Sequence, residues 1–301
     1  MSAKSIFFTQ NDEFVLRCLR TQNRMYSKAK KCNICEAIIT FILPVSAAVI
    51  SVTGILNENS EIINGIAFGF IIINNYLSDK SKSLKAQAAM VQQYIDSSLY
   101  NKVLDDDKNV FGNNNISKNA VVELIVKYGD NNVDDFKNWY ADYSKFQPQL
   151  QIFKCQQENI YWDCWLRNKL CRTIFICMLV LLLSLLFIAC YFSICLINLL
   201  NISSMFAVAR FTCPIIIGLR NDLKRMSEIG YYIRHIELQI QNNNVNDLLL
   251  ELVLLQIKIM EHRKKAVLIP DCFQKAFKNT IKNDIEKQIE SNKLMKYFEN
   301  E

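Results

Sequence analysis

Between residues 149 and 200 the chain carries neither proline nor glycine, and no charged side chain follows Arg172. The first half of this stretch is polar and aromatic, with Gln156, Asn159, Tyr161, Trp162, Asp163, Trp165 and Arg167. The second half is a nearly unbroken run of Leu, Ile, Phe and Val. Nothing here interrupts a helix, which at about 1.5 Å per residue would reach roughly 75 Å. A bilayer core needs only ~30 Å. The expected element is one long helix, aqueous or interfacial at first and membrane-spanning afterwards. Such a helix links an event in water to an event in lipid.

The rest of the chain follows the same division. Hydrophobic residues make up 51% and charged residues 21%, but they lie in separate blocks, as in a membrane protein. A second apolar run covers 37–56 and holds Pro44, which a transmembrane helix tolerates as a kink. A shorter run covers 62–77 and includes Asn64, Asn74 and Asn75. A fourth, 202–219, is interrupted by Arg210 and Pro214. Basic residues stand before the first and third runs and after the second and fourth. Arg24, Lys28, Lys30 and Lys31 lead in, Lys80, Lys82 and Lys85 follow the return, and Arg220, Lys224 and Arg225 close the set. Neither intervening loop has a Lys or Arg. The positive-inside rule then puts both termini and the middle of the chain in the cytoplasm.

The expected fold is an all-α membrane protein with four transmembrane helices in two hairpins and a bipartite helical cytoplasmic domain. Residues 1–33 form a cytoplasmic N-terminal segment and 34–77 the first hairpin. Residues 78–172 form the cytoplasmic helical domain, 173–219 the second hairpin and 220–301 the cytoplasmic C-terminal helices. Pro148 suits the first turn of the long helix, and Ser117 and Gly129 bracket a short one. Phe14, Leu16, Leu19 and Met25 make no strong apolar face. Residues 245–260 read as a nearly all-apolar, buried helix. The seam Leu219, Leu223, Met226, Ile229, Ile233, Ile236 and Ile240 predicts helix packing.

Little in the sequence supports catalysis. There is no glycine-rich phosphate loop, and the two histidines, His235 and His262, sit in no metal motif. Cys32 and Cys35 form a lone C-x-x-C without further ligands at zinc spacing, so neither metal nor cofactor is expected. The net charge of +6 is too small and too blocked for binding a nucleic acid polymer. What remains is polar groups in unusual places. Arg210 and Asn74 lie within apolar runs, and a charge there costs at least about 2.5 kcal/mol unless it finds water or a partner. Gly65 and Gly69 form a G-x-x-x-G, suited either to hairpin packing or to assembly between copies. The set Trp139, Tyr140, Trp162, Asp163 and Arg167 reads as an interfacial belt, a folded pocket or a subunit contact.

Five stretches together resemble a known family: Arg24-Met25-Tyr26-Ser27-Lys28-Ala29-Lys30; Asn138-Trp139-Tyr140; Gln156, Asn159, Trp162, Asp163, Leu166 and Arg167; Glu261-His262-Arg263; and Pro270-Asp271. Their order around two hairpins resembles the SMODS-associated four-transmembrane (S-4TM) effector family, with Gln157 and Tyr161 departing from its pattern. The resemblance implies a multi-pass protein of the bacterial inner membrane that acts in antiphage defence. A cyclic oligonucleotide made on infection would engage it, and the membrane would be permeabilised. It further implies that the partners are the bilayer, the nucleotide and further copies of the chain. Trp139, Tyr140, Asn159, Trp162, Asp163, Arg167, His262 and Arg263 are then the expected nucleotide-binding set, and Gly65, Gly69, Asn74 and Arg210 the expected pore or assembly set. The alternative is a membrane-anchored scaffold that makes no pore.

Overall fold

A computed structural model of the chain describes residues 5–53, 60–104, 110–112, 116–129, 133–191, 203–242 and 247–290, without the side chains of 41–53, 60–67, 181–182, 185–186, 188–189, 203–212 and 288–290. Every regular element among them is helical. Four long helices form the frame: α2 (Glu13–Thr53), α3 (Ser60–Leu104), α5 (Pro148–Tyr191) and α6 (Ser203–Gln241). At 41, 45, 44 and 39 residues each is roughly 60 Å long. Shorter helices complete one end: α1 (Ile6–Thr9), α4 (Lys118–Tyr128), α7 (Leu248–Lys265) and α8 (Asp271–Glu290).

Helices α2 and α3 run antiparallel. Three bonds mark their register: Tyr26 to Gln92 at 3.4 Å, Ser81 to the Ala29 carbonyl at 3.1 Å and Asn74 to Thr40 at 3.4 Å. Helix α5 starts at Pro148, where the missing N–H costs nothing. Ser117 caps α4 by accepting from the Asn119 N–H, and the Gly129 N–H closes it on the Ile125 carbonyl. A Cβ at Gly129 would stand 2.4 Å from that carbonyl oxygen, so only glycine fits there.

The main core gathers Leu16, Leu19 and Met25 from α2, Val91, Ile95 and Leu99 from α3, Ile152 and Phe153 from α5, Ile229 and Ile233 from α6, and Leu252 and Ile259 from α7. Each such fully buried side chain contributes about 1.5–3 kcal/mol. A second cluster joins α5, α6 and α8 through Tyr161, Leu166, Leu170, Leu219, Ile281 and Ile285. One expectation is refined and one corrected. The N-terminal segment makes no single apolar face, yet from Glu13 on it is the first half of α2 and carries part of the core. Its buried residues spread round the helix because α3, α4 and α6 all pack on it. Helix α7 is not buried all round: Leu250, Leu254 and Ile257 share an exposed face.

At the other end the long helices outrun the core. Ile34, Ile38, Phe68, Ile71, Ile72, Phe175, Ile176, Val180, Leu183, Phe187 and Ile217 are between 51 and 72% exposed. Exposed Lys31, Lys80, Lys82, Lys169, Arg172 and Arg220 lie close by in the sequence on the core side of these residues. Among the described residues no helix is long and apolar enough to cross a membrane. Many side chains of the four apolar runs, and the loops between them at 57–59 and around Asn201, lie outside what is described; Ser60 and Glu61, expected in the first of these loops, already belong to α3.

Gly218 sets how closely α6 meets the 266–270 segment. A Cβ there would lie 2.6 Å from the Val267 Cγ2. Gly218→Ala is expected to push that segment outward and to cost about 1–3 kcal/mol of stability, read as a lowered melting temperature in mild detergent. An unchanged melt would show that Val267 yields freely.

Candidate functional site

The packed end of the molecule contains a polar interior. Asp96 of α3, 2% exposed, is its first centre. One oxygen accepts from the Tyr140 hydroxyl at 2.8 Å. The other accepts from Arg263 at 2.6 Å and from Gln256 at 3.1 Å. Asn159 donates to the Tyr140 hydroxyl at 2.8 Å, and Gln156 donates to the Gln256 side-chain oxygen Oε1 at 3.1 Å. A loop, α3, α5 and α7 are thereby tied at one point.

Asp222 of α6, wholly buried, is the second centre. It accepts from Arg167, from Arg225 and from the Val267 N–H at 2.8 Å. Arg167 also donates to Asp163 at 3.0 Å and to the Val267 carbonyl at 3.0 Å. His262 Nε2 lies 2.7 Å from the same Asp163 oxygen. Burial pushes the Asp163 carboxyl up, but Arg167 and His262 more than reverse this and hold it well below the usual range. Burial likewise works against the Arg263 and Arg167 charges, while Asp96 for the one, and Asp163 and Asp222 for the other, secure them. The three carboxylates Asp96, Asp163 and Asp222 face the three guanidiniums Arg167, Arg225 and Arg263. An interior so balanced tolerates the low dielectric.

Of the eight residues expected to meet a nucleotide, Tyr140, Asn159, Asp163, Arg167, His262 and Arg263 join these two centres. Trp162 packs instead on the second apolar cluster. Trp139 stands at the surface, 40% exposed and stacked on Phe136. The stretch 24–30 meets Pro270-Asp271: Lys30 and Ser27 bind Asp271 at 2.6 and 2.7 Å. The motifs scattered along the sequence thus converge in space. Asp96, Asp222 and Gln256 escaped the sequence reading, since no motif marks them and their partners lie up to 167 positions away. In the other set, Gly69 faces open space, Asn74 reaches Thr40, Gly65 lies on the α3 backbone and the Arg210 side chain is outside what is described.

The arrangement positions no nucleophile beside a base, and no group of three or more metal-binding side chains stands together among the described residues. The two centres tie helices α3, α5, α6 and α7 to one another through buried side chains. Fold and site define an all-helical protein whose long helices lead from a charge-balanced interior to an exposed apolar end. The sequence model of the SMODS-associating 4TM effector domain matches residues 4–292, and the chain belongs to that family. No curated protein and no solved structure matches it. The family's name makes it an effector working with SMODS cyclic-oligonucleotide systems, and points to the membrane.

Proposed function

We propose that the chain is a ligand-gated permeabiliser of the bacterial inner membrane, opened by a cyclic oligonucleotide during phage infection so that the infected cell dies. The supporting observation is the continuity of α3, α5 and α6 from the polar interior to the exposed apolar end. A bound nucleotide that repacks Asp96 or Asp222 would act directly on helices that enter the membrane. Assembly of several copies would complete a path, with Gly65 and Gly69 in contact between helices and Asn74 and Arg210 along it. Both termini and the helical domain would face the cytoplasm.

The pairing of Arg167 and Arg263 with internal carboxylates favours a second reading. On that reading the interior is structural and the protein is a scaffold that makes no pore. Purified protein in dye-loaded vesicles separates the two. A pore-former leaks when a cyclic oligonucleotide is added, and Arg210→Leu cuts the rate at least tenfold. Tight vesicles with every cyclic oligonucleotide would leave the scaffold.

A further inference from the structure

The loop 133–147 that carries Trp139 and Tyr140 is held from two sides: Asp96 and Glu158 bind it from the interior, and a second segment binds its backbone. The preceding strap, residues 5–12, lies against it. Gln10, 1% exposed, accepts from the Tyr140 N–H at 2.7 Å and donates to the Tyr140 carbonyl at 3.1 Å. Asn11 does the same at Asn138, accepting from its N–H at 3.0 Å and donating to its side-chain oxygen at 2.9 Å. Asn138 sits at φ 53°, a left-handed conformation that asparagine tolerates better than most residues. Beneath the strap, Gln10, Asp96, Trp139 and Tyr140 border one closely packed seam.

A side-chain amide bonded to both polar groups of one backbone residue presents an acceptor beside a donor. Every nucleobase offers the same pair along its Watson–Crick edge. Trp139, partly exposed next to that backbone, supplies a ring on which a base can stack. Tyr140 then passes the event inward through its hydroxyl to Asp96.

We propose that the Tyr140 backbone N–H and carbonyl form a nucleobase-binding edge, which Gln10 occupies in the resting protein and must vacate when the nucleotide binds. This rests on the nucleotide-gated reading above and names the place of contact. The strap competes with the ligand, so its hold lowers the apparent affinity by the fraction of time the edge is free.

The test is titration of the full-length protein in detergent with cyclic di- and trinucleotides built from A, G, C and U. Binding is followed by calorimetry, with hydrogen exchange of residues 5–12 measured alongside. Gln10→Ala should tighten binding on the order of tenfold, since two neutral hydrogen bonds no longer compete. Asn138→Gly keeps the left-handed backbone and its N–H bond to Asn11 but loses the side-chain acceptor for the Asn11 amide, and should tighten binding by a smaller factor. In the parent protein, saturating nucleotide should speed exchange in the strap. Binding by the parent that neither substitution tightens, with strap exchange unchanged, overturns this inference and leaves nucleotide gating intact. No binding by parent or variants overturns both. A melting curve matching the parent's shows that Gln10→Ala is folded, and Asn138→Gly decides the matter if it is not.

Discussion

Asp222→Ala is expected to lower stability by about 3–5 kcal/mol, the range for removing one partner of a buried ion pair. The wild-type carboxylate is fully buried and accepts from two guanidiniums and the Val267 N–H. Alanine leaves the Arg167 charge with Asp163 alone and orphans the Val267 N–H. In a mild detergent the melting temperature should fall by about 10 °C, at roughly 2–4 °C per kcal/mol for a chain of this size. Arg17→Ala is the matched surface control. Its ion pair with Glu13 is solvent-exposed, so less than about 1 kcal/mol should be lost. Replacing Arg167 by Met together with Asp222 by Leu should recover part of the loss, because an apolar pair removes the uncompensated charge. A melt of Asp222→Ala within about 2 °C of the parent would mean that water reaches this centre and that the interior is not a rigid coupling element.

How much of this was legible beforehand differs by element. Helix starts were readable because their chemistry is local: Ser117 and Pro148 each act within one turn of their own position. The seam on α6 was readable because only one face of that helix meets the core, and Leu219, Met226, Ile229, Ile233 and Ile236 are buried as spaced. The start of α2 was not, because Val15, Leu16, Cys18, Leu19 and Met25 are buried on several sides at once and leave no stripe to detect. Helix α7 misled in the opposite way: apolar residues on every side suggested full burial, yet Leu250 and Leu254 face outward. Six of the eight expected binding residues do gather in one interior, but the two carboxylates at its centres were invisible. Asp96 and Asp222 acquire meaning only when α5 and α7 bring Arg167 and Arg263 to them.

A single buried carboxyl should make stability depend on pH in the neutral range. Glu158 of α5 is 8% exposed, and one of its oxygens accepts from the Ala141 N–H and the Tyr143 hydroxyl, both at 3.1 Å. Burial raises its carboxyl, these two bonds and Lys282 offset only part of the rise, and the group is pushed up to about 7. The unfolded chain titrates near 4.5, so between that pH and about 7 the folded state binds more protons. Stability from this group is therefore complete below pH 4.5 and is lost as pH rises toward 7. The difference amounts to about 3 kcal/mol at 1.36 kcal/mol per unit. Asp163 does not confuse the window: its carboxyl lies below the usual range, so its contribution is constant above about pH 5. Glu158→Gln removes the titration while keeping an acceptor for the loop. Melting temperatures of parent and variant should differ by a constant at pH 4.5 and below, then diverge by about 10 °C in the variant's favour by pH 8. Reading the change in the difference cancels whatever the amide itself costs. A difference that stays flat from pH 4.5 to 8 would show that Glu158 is solvated. Because Glu158 grips the segment that carries Tyr140, the same titration should loosen that segment at high pH. Hydrogen exchange at residues 139–143 should then speed up across the same pH range, beyond the ordinary rise in intrinsic rate, and do so in the parent alone.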